Sequence, residues 1–411
     1  MDQPFFNAAR KGFDVPNYIK VKLKPKEEDR LLAGHPWVFA NEVDSAPKTL
    51  APGVLVEVIT SKGVPIGRGV ANPTSKILIR LLTRDFETEI DEALIAARVR
   101  TALHVRKDFR EKNQTDGMRI LFGEGDGLPG MIADGFGDTA VLSCFSAGLK
   151  PFIPAIQKTL QENGFKYVYE KSVGEVCQKE GMAEFQGWLT GPGKLPLPFF
   201  EGKAKFLAHP AKGHKTGFYL DFREVRRKIQ ALSAGKSLLD AFCYTGAASI
   251  QAALGGAKEV LALDSSQNAL DEGAQNAKLN GVEKNVRFEK GDSFKIFKDF
   301  KKDGRKFDGI LLDPPPLAKS AHDLPAARTA LKRLLGQAFD MLNDGGFLVV
   351  GTCSHHFSWT LLDGVAREAV EESGRSFLLR ERFTQPQDHP IVLAIPETEY
   401  LRVLLLSEVP Y

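Results

Sequence analysis

Two residues late in the chain have the types and surroundings needed to make bonds. Asp313 closes the apolar run Phe307-Asp-Gly-Ile-Leu-Leu and is followed by Pro314, Pro315 and Pro316. Cys353 closes the run Phe347-Leu-Val-Val-Gly-Thr and precedes Ser354. Both runs read as strands, and the prolines stop the first because proline has no N–H to offer a neighbour. If the two strands are neighbours in a parallel sheet, both side chains emerge on one rim. A thiolate placed there can add to carbon 6 of a pyrimidine and make carbon 5 nucleophilic. A carboxyl that shares a proton can hold N3 of the same ring. Many enzymes that methylate amino groups carry an aromatic residue at this place, stacked on the target base. Pro316 and Leu317 stand there instead, which weakens the amino-group alternative and leaves it open. Cys144, Cys177 and Cys243 read as small core hydrophobes.

A methyl donor has its own signal upstream. The segment Leu238-Leu-Asp240-Ala-Phe242-Cys-Tyr244-Thr245-Gly246 is a strand end and turn, Asp264 ends the next apolar run, and Asp292 follows the third. Open parallel sheets bind ligands at the carboxyl ends of their strands. An acid at the second strand end suits ribose hydroxyls, and one after the third meets an adenine. A dinucleotide needs glycines where its pyrophosphate approaches the turn. Phe242, Cys243 and Tyr244 fill that place, and only Gly246 remains. S-adenosylmethionine (SAM) has no phosphates and tolerates them, with Phe242 or Tyr244 near its sulfonium charge. No metal is expected. Glu124, Asp126 and Asp134 lie in turn-forming sequence and read as turn acids.

The elements that must position these residues are strands and helices in alternation from about residue 199, which reads as a doubly wound α/β sheet. We place this third unit at 196–411. Residues 18–88 show only β signals, with Lys20, Lys22 and Lys24 alternating onto one strand face, and read as a small β-barrel. Residues 89–195 read as a small α+β domain, beginning with one helix over Ile90–Arg110. The Gly- and Pro-rich segment Leu189–Pro198 marks a boundary.

At 411 residues with 43% hydrophobic content, two or three cores are expected. Scattered cysteines without a C-x-x-C pair argue against a disulfide framework or zinc site and suit a reducing cytoplasm. Met1–Phe13 does not read as a secretory signal. Net charge is only +3, but local basic clusters, among them Arg223, Arg226, Arg227 and Lys228, raise the expectation of a polyanionic partner.

Taken together, the motifs resemble the bacterial 23S rRNA (cytosine-C5)-methyltransferases of the large-subunit methyltransferase I type. The resemblance runs from Tyr18 to Tyr411. It is carried by Leu31-Leu-Ala-Gly-His-Pro-Trp-Val-Phe39, Gly67-Arg-Gly-Val-Ala-Asn-Pro73, Arg80-Leu-Leu-Thr-Arg-Asp85, Gly123-Glu-Gly-Asp-Gly-Leu-Pro-Gly130 and Asp134-Gly-Phe-Gly-Asp138. Further on it is carried by Lys215-Thr-Gly-Phe-Tyr-Leu-Asp221, the cofactor turn, Asp313-Pro-Pro, Thr352-Cys-Ser354, Asp388-His-Pro390 and Pro396-Glu-Thr-Glu-Tyr400. It implies a PUA-like RNA-binding barrel, a central domain and a Rossmann-like class I methyltransferase domain. It also implies SAM contacts around Phe218, Arg223, Asp240, Asp264, Asp292 and Asp313, and a nucleophilic Cys353. The chain departs from the family pattern at Phe222, often Gln, and at Gly351, where many relatives have a further Cys. His355 and His356 occur in some relatives only. The implied partner is RNA, 23S rRNA by resemblance, with no membrane; a homodimer stays open. The competing readings are a nitrogen methyltransferase of guanine or adenine with a structural Cys353, and a non-catalytic RNA binder.

Overall fold

The computed structural model describes residues 18–409, apart from 46, 48, 49 and 319. The reading of Met1–Phe13, and the last two residues of the third expected unit, lie outside the described residues.

After the hairpin of strands Leu197–Glu201 and Ala204–Ala208, the third unit forms one seven-stranded sheet: β1 (Ser237–Ala241), β2 (Glu259–Asp264), β3 (Val286–Lys290), β4 (Phe307–Leu312), β5 (Leu342–Thr352), β6 (Phe377–Phe383) and β7 (Arg402–Glu408). Their spatial order is β3-β2-β1-β4-β5-β7-β6, with β7 antiparallel to both neighbours. Both faces are covered, so the central strands are apolar on both sides. Leu238, Val260, Leu311 and Val349 face helices Arg223–Leu232, Ala247–Leu254 and Gln267–Leu279. Leu239, Leu261, Ile310 and Leu348, each one residue away, face helices Ser293–Lys302, Leu324–Met341 and Trp359–Ser373. The order reverses between β1 and β4, which places the crevice for a ligand beside the carboxyl end of β1. β4 and β5 are paired in parallel, so Asp313 and Cys353 leave adjacent strands.

Residues Ile19–Thr83 supply a six-stranded sheet, and Gly117–Trp188 a five-stranded one backed by helices Glu92–Val105 and Ile153–Glu162. The single helix expected over Ile90–Arg110 is two: Glu92–Val105 and Lys107–Lys112. The break is at Arg106, whose buried guanidinium forks onto Asp126 at 2.8 and 2.9 Å and also reaches the Asp388 carbonyl. The acids of the turn region are held the same way. Asp126 pairs with Arg106, Asp134 with Arg119 at 2.5 Å, and Glu124 accepts the Trp37 indole N–H at 2.9 Å.

The three units are joined by buried polar contacts. Glu180 receives Arg80 from the first sheet and Ser75 and Asn72 from the turn that precedes Arg80's strand. Arg223 reaches the Gly117 carbonyl in the five-stranded sheet, Glu201 in the hairpin Leu197–Ala208, and Asp388 in the C-terminal loop.

Candidate active site

The turn after β1 is unusual backbone. Phe242 and Tyr244 adopt φ of +66° and +50°, and Gly246 +70°. Left-handed backbone at two large non-glycine residues is costly and occurs at functional sites. The turn is pinned from below by Asp264, whose carboxylate accepts the Tyr244 N–H at 2.9 Å and the Ser266 N–H at 2.9 Å. Gly246 begins helix Ala247–Leu254, and a Cβ there would lie 2.6 Å from the Phe288 ring. Its role is to let the turn pass.

Over this turn lies a cavity of about 680 Å³. Of the residues expected to meet a cofactor, Phe218, Asp240, Phe242, Tyr244, Thr245, Asp264, Asp292 and Asp313 line it, and so does Cys353. Gly246 and Arg223 do not. Arg223 corrects an expectation: it is fully buried and held by Glu201, Asp388 and the Gly117 carbonyl. Its neighbour Arg226 is buried on Glu201 as well, at 2.5 Å. Half of that basic cluster is therefore internal scaffolding, with no charge left for a polyanion.

Two cavity hydroxyls, Thr245 Oγ1 and Ser293 Oγ, are buried without a partner. Such groups are rare unless a ligand or water satisfies them. Asp292 is exposed and caps helix Ser293–Lys302 by accepting the Phe294 N–H. Phe294 packs edge-on to Phe242, ring centres 5.4 Å apart. Together these supply a carboxylate for a ribose, an aromatic wall for an adenine and polar atoms for its edge. That donor set fits SAM.

Two carboxyls of the cavity, Asp240 and Asp313, have no cation bonded to them among the described residues, whereas Asp221 is paired with Lys215. Burial pushes Asp240 up to about 7, against the pull of its bond from Ser249 at 2.6 Å, with Asp264 raising it further. Burial, then Asp221 and Asp240, push Asp313 up to about 7, against Lys215. Gly351 leaves Asp313 its room, since a Cβ there would lie 3.1 Å from its Oδ1. Burial and then Asp313 push the Cys353 thiol up to about 12, opposed by Lys215. The thiol is half-buried and free, whereas the other three cysteines are fully buried.

The sequence reading missed part of the site. His214, Lys215, Tyr219 and Asp221 also line the cavity. All belong to the loop and short turn ahead of helix Arg223–Leu232, in or beside the segment Lys215–Asp221, from which only Phe218 was singled out. Helical or strand periodicity carries no signal for such residues. Ser293 and Phe294 were signalled only by the capping Asp292.

Comparison with known proteins agrees with this geometry. Residues 21–84 match a PUA-like domain, and residues 177–405 an S-adenosylmethionine-dependent methyltransferase. The chain is 35% identical over 395 residues to the ribosomal RNA large subunit methyltransferase I of Salmonella arizonae, covering 94% of this chain and 97% of that one. The enzyme of the same name from Salmonella typhimurium is 34% identical with the same coverage. A solved SAM-dependent methyltransferase from Streptococcus mutans matches with a TM-score of 0.81 at 19% identity, over 95% of this chain and all of that one. At that identity the likeness speaks for the fold alone.

Proposed function

Since the chain belongs to the ribosomal RNA large subunit methyltransferase I family, we propose that it methylates carbon 5 of a cytosine in 23S rRNA, with Cys353 as nucleophile and Asp313 as its partner. The observation that carries this reading is that Cys353 and Asp313 line the cavity that also holds Asp240, Asp264 and Thr245. SAM, when bound, supplies an electrophilic methyl group there. Asp264 receives ribose hydroxyls, and Asp240 faces the cationic end.

The target cytosine must leave its stack to reach the cavity. Cys353 gives its proton to the Asp313 carboxylate, and its sulfur bonds to carbon 6. The proton passes from Asp313 to N3 as the ring's electron pair moves there, which leaves carbon 5 an enamine carbon. A carboxyl near 7 suits this relay, because it neither holds nor refuses the proton strongly. Protonating Asp313 also removes the charge that held the thiol up. After carbon 5 takes the methyl group, N3 returns its proton to Asp313. Carbon 5 then loses its own proton to water, and the bond from sulfur to carbon 6 breaks with its electron pair returning to Cys353.

Three units divide this work: residues 18–88 hold RNA, 89–195 join, and 196–411 carry the chemistry. Lys20 and Lys24 are exposed on the first unit and suit phosphate contacts. A ribosomal substrate implies work in the cytoplasm. The test is the product. RNA methylated by the purified protein and digested to nucleosides should yield 5-methylcytidine by mass spectrometry. A methylated guanosine or adenosine would replace this reading with nitrogen methylation, and a protein that binds RNA without turnover would be a binder only.

A further inference from the structure

The thiol of Cys353 is held protonated by burial and by carboxylates, so the site needs positive charge to release the proton. Among the described residues two cations line the cavity, Arg226 and Lys215. Arg226 is committed to Glu201 and the Tyr219 carbonyl. Lys215 is not a loose surface lysine. Its Nζ lies 2.6 Å from Asp221 Oδ2, 4.4 Å from the Tyr219 ring centre and 5.6 Å from that of Tyr400. Its backbone is left-handed, φ +47°, a strain that persists only where surroundings impose it. The preceding His214 stacks on Tyr244 at 5.1 Å and donates its N–H to the Tyr244 hydroxyl at 2.9 Å, which fastens the segment to the cofactor turn.

The Tyr400 hydroxyl donates to the same Asp221 oxygen at 2.6 Å. That second donor matters, because Asp221 is buried and an unpaired buried carboxylate is costly. With Tyr400 in place, the ammonium can turn towards the sulfur without leaving Asp221 alone.

We propose that Lys215, clamped by Asp221 and Tyr400, is the positioning residue whose charge lets Cys353 give up its proton. This rests on Cys353 being the nucleophile. The charged groups acting on the sulfur are Lys215, which favours the thiolate, and Asp313 and Asp221, which oppose it; the Tyr219 hydroxyl lines the same cavity, and His355 and His356 follow in the chain.

The experiment is the rate at which iodoacetamide alkylates Cys353 in the full chain as pH is varied, counted on the Cys353 peptide by mass spectrometry. Thiolate fraction changes tenfold per pKa unit, and altered nucleophilicity cancels about half of that logarithm, so a one-unit shift appears as roughly threefold. Lys215→Met should be slower by about that factor or more at a fixed pH, with its profile moved up. Lys215→Arg should stay near wild type, and Asp221→Asn should move the profile down. Methylation by Lys215→Met should lose kcat with little change in KM, and recover as pH rises. A wild-type profile in Lys215→Met overturns the proposal even when Cys353→Ala is inactive, and so does a Lys215→Arg profile matching Lys215→Met. If Lys215→Met does not fold, Lys215→Gln is read in its place against the same two outcomes. Methylation that survives in Cys353→Ala overturns the covalent reading and this inference with it.

Discussion

Buried charge around Arg223 and buried charge in the cavity are handled in opposite ways. Around Arg223 every ion has a partner: Arg223 meets Glu201 and Asp388, Arg226 meets Glu201, and Arg119 meets Asp134. Burial would raise Glu201, but Arg226 and Arg223 hold it below the usual carboxylate range. In the cavity, Asp240 and Asp313 have no cation bonded to them among the described residues, and both are pushed up to about 7. Charges that complete one another hold the scaffold in place, and Arg223 carries that scaffold across to the Gly117 carbonyl of the second unit. Charges left unmatched are available to a ligand or a travelling proton, which is the usual mark of a functional site.

The contrast is broken most heavily on the paired side. Glu201→Ala leaves the buried Arg226 without its carboxylate and Arg223 with Asp388 alone, and such a loss costs about 3–5 kcal/mol. Denaturant unfolding should show it, and a loss under about 1 kcal/mol would mean that the cluster is not part of what holds the fold. On the unmatched side, Asp264→Ala removes an acceptor for ribose hydroxyls. That is about 1.5–3 kcal/mol, or tenfold or more in SAM affinity. Unchanged calorimetry would move the cofactor elsewhere.

The unmatched carboxyls also predict pH effects. A cationic ligand prefers ionised Asp240, which in the free protein is half protonated near 7. SAM affinity should therefore fall as pH drops from 8 to 6, by about tenfold at most, and Asp240→Asn should flatten the dependence. The smallest effect concerns stability. Asp313 has a folded pKa of about 7, above its unfolded value, so the folded state resists its ionisation. Stability is then lost as pH rises between roughly 4 and 7. Asp313→Asn should stabilise the protein at pH 8, on the order of 1 kcal/mol after solvent screening at the cavity mouth, and change little at pH 4. Equal effects at both values would show that this carboxyl is not unmatched.

How legible each side was in the sequence follows from the same contrast. Asp240, Asp264, Asp313 and Cys353 stand at the ends of strands buried on both faces, and such strands read as continuous apolar runs. Their ends are visible, and sheet topology brings the ends together. Arg223 was misread because its partners, Glu201 and Asp388, lie far away in the chain, and no local pattern connects them. The Lys215 clamp was missed for a similar reason: Asp221 and Tyr400 meet only through the fold. Strand β7 was passed over too, since the apolar run Val403–Leu406 reads equally well as a short buried helix. The helix expected through Arg106 failed where a tertiary ion pair overrode helical propensity.

The most direct test of Cys353 as nucleophile is a trapped intermediate. Protein, SAM and RNA carrying 5-fluorocytosine at the target should give an adduct that survives a denaturing gel, because fluorine blocks release from carbon 5. Protease and nuclease digestion followed by mass spectrometry should place the modified nucleotide on the Cys353 peptide. Cys353→Ala should keep its SAM affinity and form no adduct. An adduct on another cysteine, or full methylation of ordinary RNA by Cys353→Ala, would contradict the covalent mechanism.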